Sequence, residues 1–95
     1  MIKHENNVNV KPMDAIILIN DNYINYNLKQ GYIGVVVDNL IQINNYVLAD
    51  FFNPLTGEDI AVQIEIAKDD FRILSNSIKD QLAVKVFKDI CKNKV

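Results

Sequence analysis

Residues 28–37, LKQGYIGVVV, constrain the fold of this chain more than any other stretch. They place Gly31 and Gly34 three residues apart at the start of a β-branched run. A glycine can end a loop in a conformation that other residues avoid, and a glycine inside a strand permits a bulge, a bend or close backbone approach. The pattern is typical of a small β-barrel that begins a strand after a long loop. It does not indicate a phosphate-binding loop, because no helix N-terminus follows it.

Apolar runs and turn residues predict four further strands. Residues 13–19 form an almost continuous apolar run of strand length, which indicates a strand covered on both sides. Residues 46–52 form the third strand, and residues 60–67 alternate between large apolar and other side chains. A tight polar turn then leads to a short strand near Phe71. The Asn-rich segment 20–27 predicts a long loop between the first two strands.

Helical spacing begins after residue 76. Ser77, with Asp80 three residues later, resembles a capping box, and Ile78, Leu82, Val86 and Ile90 recur at every fourth position. Further apolar residues widen this arc beyond what a helix needs to pack on one neighbour, namely Ala83, Val84, Phe87 and Cys91. The sequence therefore predicts an amphipathic helix over 77–93 with some apolar surface left for a second neighbour.

The chain length and the polar start of the sequence define the domain organisation. With 95 residues, the chain is expected to form a single domain. Residues 1–9 are polar and Asn-rich, which predicts a flexible arm. The β-structure is expected over 10–74 and the helix over 77–93, packed on the β-structure.

Four segments carry a resemblance to a known family: 14–18, 28–36, 47–51 and 64–72. Together they resemble an uncharacterised bacterial family of small SH3-like barrel proteins with an L-x-x-G-D-x-G-x-V-V motif. The resemblance covers roughly residues 13–74 and implies a mainly β fold, a five-stranded SH3-like barrel with one added C-terminal helix. Translation-type (KOW) barrels use similar glycines. The family provides no catalytic residues to assign here.

The departures from that family concern the outer surface of the sheet. Tyr32 and Val35 stand where such barrels often place Asp and Thr. If Val47, Ala49 and Phe51 point inward, then Leu48 and Phe52 point outward, because side chains alternate along a strand. This predicts an apolar exterior over the second and third strands, and the terminal helix is the expected cover.

The residue types needed for catalysis or metal binding are scarce. His4 is the single histidine, in the predicted arm, and Cys91 is the single cysteine, among apolar helix positions. Nucleophilic catalysis needs an activated pair, and Cys/His zinc sites need several ligands. The carboxylates of two predicted turns do not have calcium-loop spacing: Glu58, Asp59, Asp69 and Asp70. The sequence therefore predicts a protein that is not an enzyme and has no cofactor or metal.

Charge and hydropathy restrict the partner and the location. Ten basic residues are scattered among twelve acidic ones, for a net charge of −2, which does not favour nucleic acid. No apolar run reaches membrane-span length, and residues 1–9 contain no apolar core of a signal peptide. We expect a cytoplasmic protein with no membrane partner.

The leading hypothesis is a non-enzymatic protein-binding module of the immunity or antitoxin type that docks on and neutralises a basic toxin or enzyme. Interfaces favour aromatic anchors with a polar rim. The expected anchors are Tyr23, Tyr26, Tyr32, Leu48 and Phe52, and the expected acidic rim is Glu58, Asp59, Asp69 and Asp70.

Two other hypotheses remain open. An RNA- or ribosome-associated barrel of the KOW kind requires Lys29, Lys68 and Arg72 to converge with the tail lysines beside an exposed tyrosine. A self-associating structural or regulatory subunit, such as a homodimer, requires the surplus apolar face of the helix to pair with another copy.

Overall fold

The computed structural model describes residues 9–93, which form a five-stranded antiparallel sheet and a C-terminal helix. The predicted arm at 1–9 therefore lies outside the described residues except for Asn9. The elements are β1 (Ala15–Leu18), β2 (Ile33–Leu40), the one-turn helix α1 (Ile41–Asn44), β3 (Tyr46–Phe52), β4 (Asp59–Ala67), β5 (Phe71–Ile73) and α2 (Ile78–Lys92). A short 3-10 helix, Ile24–Tyr26, lies in the loop between β1 and β2.

The strand order is β4-β3-β2-β1-β5, with every neighbouring pair antiparallel. The mainly β fold with one C-terminal helix is confirmed, but the sheet of residues 9–93 is open rather than closed into a barrel. The three residues of β5 all pair with β1, and β4 pairs only with β3. The two edge strands therefore lie at opposite ends of the sheet.

The two faces of the sheet differ in burial. Val47, Ala49 and Phe51 of β3 are fully buried, and their face, which we call the inner face, carries most of the core. Leu48 and Phe52 alternate with them on the outer face, as the sequence predicts, and Phe52 is exposed. Burial of the inner face supplies the main favourable free energy of folding.

Gly34 of β2 occupies a crowded backbone position of the sheet. A Cβ added there would lie 2.7 Å from Cε2 of Phe51 and 2.8 Å from the backbone oxygen of Asp50. Among the roles that the sequence allows for this glycine, the structure selects close approach of a neighbouring strand. Gly31 has a different role, because its φ of +93° ends the long loop in a conformation that favours glycine.

Asp80 fastens the start of α2 to β5. The Asp80 N–H donates to Oγ of Ser77 at 3.2 Å, so Ser77 is the N-cap. The second half of the predicted capping box is not formed, because the Ser77 N–H donates to Oγ of Ser75 and not to Asp80. The Asp80 carboxylate is buried, pairs with Nη2 of Arg72 at 2.7 Å and accepts from the Ser75 N–H at 2.6 Å. The Arg72 guanidinium, followed by the Ser75 N–H, holds the pKa of the Asp80 carboxyl well below its usual range.

The helix packs through a different face from the arc expected of it. Phe87 and Cys91 are buried in the inner-face core, and the Phe87 ring lies 5.2 Å from the Tyr32 ring between centroids. Ile78, Leu82 and Val86 are exposed instead. α2 therefore covers the inner face, and not the outer face that the sequence analysis assigned to it.

Candidate functional site

An apolar groove lies on the outer face, beside the start of β2 and the end of β3. Its volume is about 350 Å³. We call it the outer-face groove, and it is lined by Pro12, Met13, Val35, Val36, Val37, Asp50 and Phe52. It contains Phe52, an expected partner contact, and Val35, which the sequence placed on the outer surface.

Pairing of β2 with β3 forms the wall of the groove. Val35 lies opposite Asp50, and Val36 lies opposite Ala49. The register then shifts between Val36 and Asp38, so Val37 stands at an irregularity and its side chain is exposed. Bulges of this kind re-aim a side chain, and here the re-aimed side chain is apolar.

Met13 forms the lip of the groove in an unusual backbone conformation. Its φ is +79°, and it follows Pro12 in a turn closed by the Asp14 N–H donating to the Lys11 carbonyl at 3.0 Å. Glycine or asparagine is preferred at such a position after proline. The Met13 N–H donates to the Val36 carbonyl at 2.8 Å, which fastens the turn to β2. The Met13 residue is nonetheless 81% exposed.

The charged side chain that lines this groove is acidic. Asp50 lines it, and one Asp50 oxygen accepts the Gln63 N–H at 2.7 Å, which fixes the carboxylate in place. Asp38 directly follows Val37 and is exposed. None of the seven described lining residues is basic. The groove therefore combines an apolar floor with fixed negative charge.

A second, more polar cavity lies between the end of α2 and the β3–β4 connection. Its volume is about 270 Å³. It brings the expected rim residues Glu58 and Asp59 close to Tyr32, in a lining of Asn27, Tyr32, Asn53, Glu58, Asp59, Ile60 and Cys91. The Tyr32 residue is only 1% exposed and packs on Phe87, so its ring belongs to the core and the expected place on the outer surface is wrong.

Tyr23 and Asp70, two further expected contacts, bind each other. The Tyr23 hydroxyl donates to Oδ2 of Asp70 at 2.7 Å and accepts the Ala67 N–H at 2.8 Å. The side-chain amide of Asn20 donates to Oδ1 of Asp70 at 2.8 Å. These bonds fasten the Asn-rich loop to the β4–β5 turn and to the end of the edge strand β4.

The environment of Tyr23 shifts its ionisation. Burial, followed by the nearby Asp70 carboxylate, raises the pKa of the Tyr23 hydroxyl from 10.0 to about 12, against the lowering effect of the Ala67 N–H. Because the folded pKa exceeds the unfolded value, the protonated hydroxyl stabilises the fold fully below pH 10. This contribution is lost as the pH rises through about 12.

We expect Tyr23→Phe to lower the free energy of unfolding by about 2 kcal/mol at pH 7, because a charge-assisted hydrogen bond and a backbone partner are both lost. The difference in free energy of unfolding between the variant and the parent should narrow above pH 10. The reason is that the parent loses the stabilisation provided by its protonated Tyr23 hydroxyl. Urea unfolding at several pH values measures both effects. Tyr26→Phe is the matched control, since Tyr26 is exposed, and a loss as large as that of Tyr23→Phe would contradict the assignment.

The remaining expected contacts are dispersed. Leu48 is half-buried on the outer face, and Tyr26 and Asp69 are exposed outside the groove. Sequence reasoning did not select Pro12, Met13 or Val37 as contacts. The Pro-Met-Asp order was a usable signal for a turn, but the apolar run over 13–19 favoured a strand that in fact begins at Ala15.

Comparisons with protein-family models, curated proteins and solved structures found no match to this chain. Among residues 9–93, no three His, Cys, Asp or Glu side chains are grouped closely enough to hold a metal ion. No helix in the same range is both long and apolar enough to cross a membrane.

Proposed function

We propose that this protein is a non-enzymatic protein-binding module whose partner docks on the outer-face groove. The observation that carries the proposal is Met13, an exposed apolar side chain held at φ +79° on the lip of an apolar groove. A non-glycine residue in this region costs about 1–3 kcal/mol. Glycine at this position avoids that cost, so the methionine side chain is best explained by a contact that it makes.

The properties of the groove side chains agree with protein binding. Methionine is flexible and polarisable and adapts to different apolar surfaces, and aromatic residues such as Phe52 are enriched in interfaces. Phe52 and Val37 are both exposed beside Met13. The three side chains form an anchor for one or two apolar side chains of a partner.

Charge supports a basic partner. The carboxylates of Asp38 and Asp50 adjoin the apolar floor, and the whole chain has a net charge of −2. Opposite charges across an interface steer association and exclude wrong partners. The most specific form of the proposal is an immunity or antitoxin protein that neutralises a basic toxin or enzyme in the cytoplasm.

The fold relation is also a proposal: an SH3-like barrel opened at one side. Five antiparallel strands, a long β1–β2 loop and a short turn before β5 support it. The RNA-binding alternative has less support, because Arg72 is already paired with Asp80 at 2.7 Å. The RNA-binding alternative requires the Arg72 guanidinium to be free to bind phosphate groups.

The test compares two truncations of exposed apolar side chains. We expect Met13→Gly to leave the free energy of unfolding unchanged or raise it by about 1 kcal/mol, because glycine relieves the strain. The same change should weaken partner binding at least tenfold. Ile43→Ala is the matched control, since Ile43 is equally exposed but lies on α1, outside the groove.

Capture from a lysate of the source organism, at low and high salt, provides the partner for this measurement. A supporting result is a basic protein that binds the parent and Ile43→Ala, is lost with Met13→Gly, and binds more weakly at high salt. Capture of no specific protein, or equal capture by Met13→Gly, contradicts the proposal.

A further inference from the structure

We propose that copies of this chain associate head to tail, with the exposed stripe of α2 from one copy seated in the outer-face groove of the next. The regulatory part of this inference rests on the proposed function, because the stripe then holds the groove until a partner displaces it. The contact itself depends only on the two surfaces.

The first surface is the α2 stripe, defined as Ile78, Leu82 and Val86. These residues lie on successive turns, and Ile78 is 76% exposed. With about 100° of rotation per residue, Ile78 lies half a turn away from Phe87, which packs into the core. The stripe therefore faces away from the sheet. An amphipathic helix laid into an apolar groove is a recurring mode of peptide recognition.

Charge decides which surface the stripe fits. At about 100° per residue, three exposed lysines of α2 border the stripe, and they outnumber Asp89, the exposed carboxylate on the same side, which lies 3.7 Å from Lys85. The lysines are Lys79, Lys85 and Lys92. Two α2 helices facing each other would bring these lysines together. The groove instead offers an apolar floor lined also by Asp50, with the exposed Asp38 next to Val37 in the chain.

The placement of the two surfaces determines the form of the assembly. α2 packs on the inner face of the sheet, whereas the groove lies on the outer face. One copy therefore cannot fill its own groove with its own helix. A contact between two different surfaces leaves one free groove and one free stripe after each addition, so association continues beyond the dimer until the chain of copies closes into a ring.

The size of the contact sets its strength. Three helix side chains meet a groove lined by seven residues, whereas stable interfaces use about 20–30 residues on each side. We therefore expect weak association that depends steeply on protein concentration and is reversed by dilution. Salt should weaken it further, because part of the attraction comes from exposed charges.

Sedimentation velocity over a concentration series, on the full chain alone, tests the contact. The weight-average sedimentation coefficient of the parent should rise with concentration and with lower salt. Leu82→Glu removes the stripe but keeps the groove, and Val37→Lys blocks the groove but keeps the stripe. Both residues are exposed, so each variant is expected to fold, which circular dichroism checks, and to remain monomeric. Ile43→Glu, outside both surfaces, should associate like the parent.

Mixing the two monomeric variants gives the decisive result. Leu82→Glu still offers a groove and Val37→Lys still offers a stripe, so the mixture should form one-to-one dimers and nothing larger. A parent that stays monomeric throughout, a mixture that does not associate, or a Val37→Lys variant that associates like the parent would each overturn the proposal. Because no partner is present in these measurements, failure of the proposed function would not affect them.

Discussion

Gly34→Ala is expected to lower the free energy of unfolding by about 3 kcal/mol, a large loss for the addition of one methyl group. The added carbon would lie 2.8 Å from the Asp50 carbonyl oxygen and 2.7 Å from the buried Phe51 ring. Neither can move away easily, because Asp50 and Phe51 belong to β3, which is paired on both sides. Urea unfolding should show a lower midpoint with an unchanged slope.

Two variants separate crowding from other effects of alanine at this position. Gly31→Ala adds a methyl group with nothing within 4 Å but at φ +93°, so it should cost only about 1 kcal/mol from strain. Phe51→Leu combined with Gly34→Ala should destabilise less than the sum of the single changes, because a smaller side chain makes room for the methyl group. A loss at Gly34 no larger than at Gly31 would contradict the close approach.

Phe87→Ala is expected to cost about 4 kcal/mol, since a buried aromatic side chain is removed from the core. The Phe87 ring contacts Tyr32 and joins α2 to the inner face, so α2 should also lose protection from hydrogen exchange. Leu82→Ala, five residues earlier on the same helix, should cost less than about 0.5 kcal/mol because Leu82 is exposed.

The comparison between these two helix positions is informative because the sequence pattern alone predicts the opposite order. Leu82 belongs to the strongest apolar arc of the sequence, whereas Phe87 belongs to its extension. If Leu82→Ala were as destabilising as Phe87→Ala, the helix would have to pack through the arc that contains Ile78 and Val86. The orientation of α2 about its own axis would then be wrong, and the α2 stripe would be buried instead of exposed.

Local patterns predicted much of the β-structure. Alternation grouped Val47, Ala49 and Phe51 on one face of β3 and Leu48 and Phe52 on the other, as the structure has them. The N-cap at Ser77 also follows from local chemistry, since a hydroxyl bonds to the third residue beyond it. These features depend on residues near each other in the chain, so the sequence expresses them directly.

The rotation of α2 was not predictable in the same way. Both apolar arcs of the helix satisfy the helical period, so periodicity cannot choose between them. The choice comes from the Asp80–Arg72 ion pair at one end and the Phe87–Tyr32 contact further along. Both join the helix to residues outside it, so the spacing of apolar residues within the helix does not express them.

The groove was only partly predictable for a related reason. Phe52 and Val35 followed from strand alternation, but Met13 did not, because nothing in its residue type indicates a φ of +79°. Likewise, the sequence indicated that Tyr23 and Asp70 are free surface residues. They lie 47 positions apart in the chain, but in the structure their side chains share a hydrogen bond. A hydrogen-bonding partner that is distant in sequence turns an expected contact residue into a structural one.

The amino-acid order by itself determined where the main strands and the C-terminal helix lie, because these depend on the local period of the side chains. The alternation of β4 is broken by a register shift, which leaves Val62 exposed. Only the tertiary structure decided that the sheet stays open, that α2 closes its inner face and that an apolar groove remains outside. Those outcomes depend on which apolar surfaces, distant from one another in the chain, pack together. The local pattern of apolar side chains contains no information about that choice.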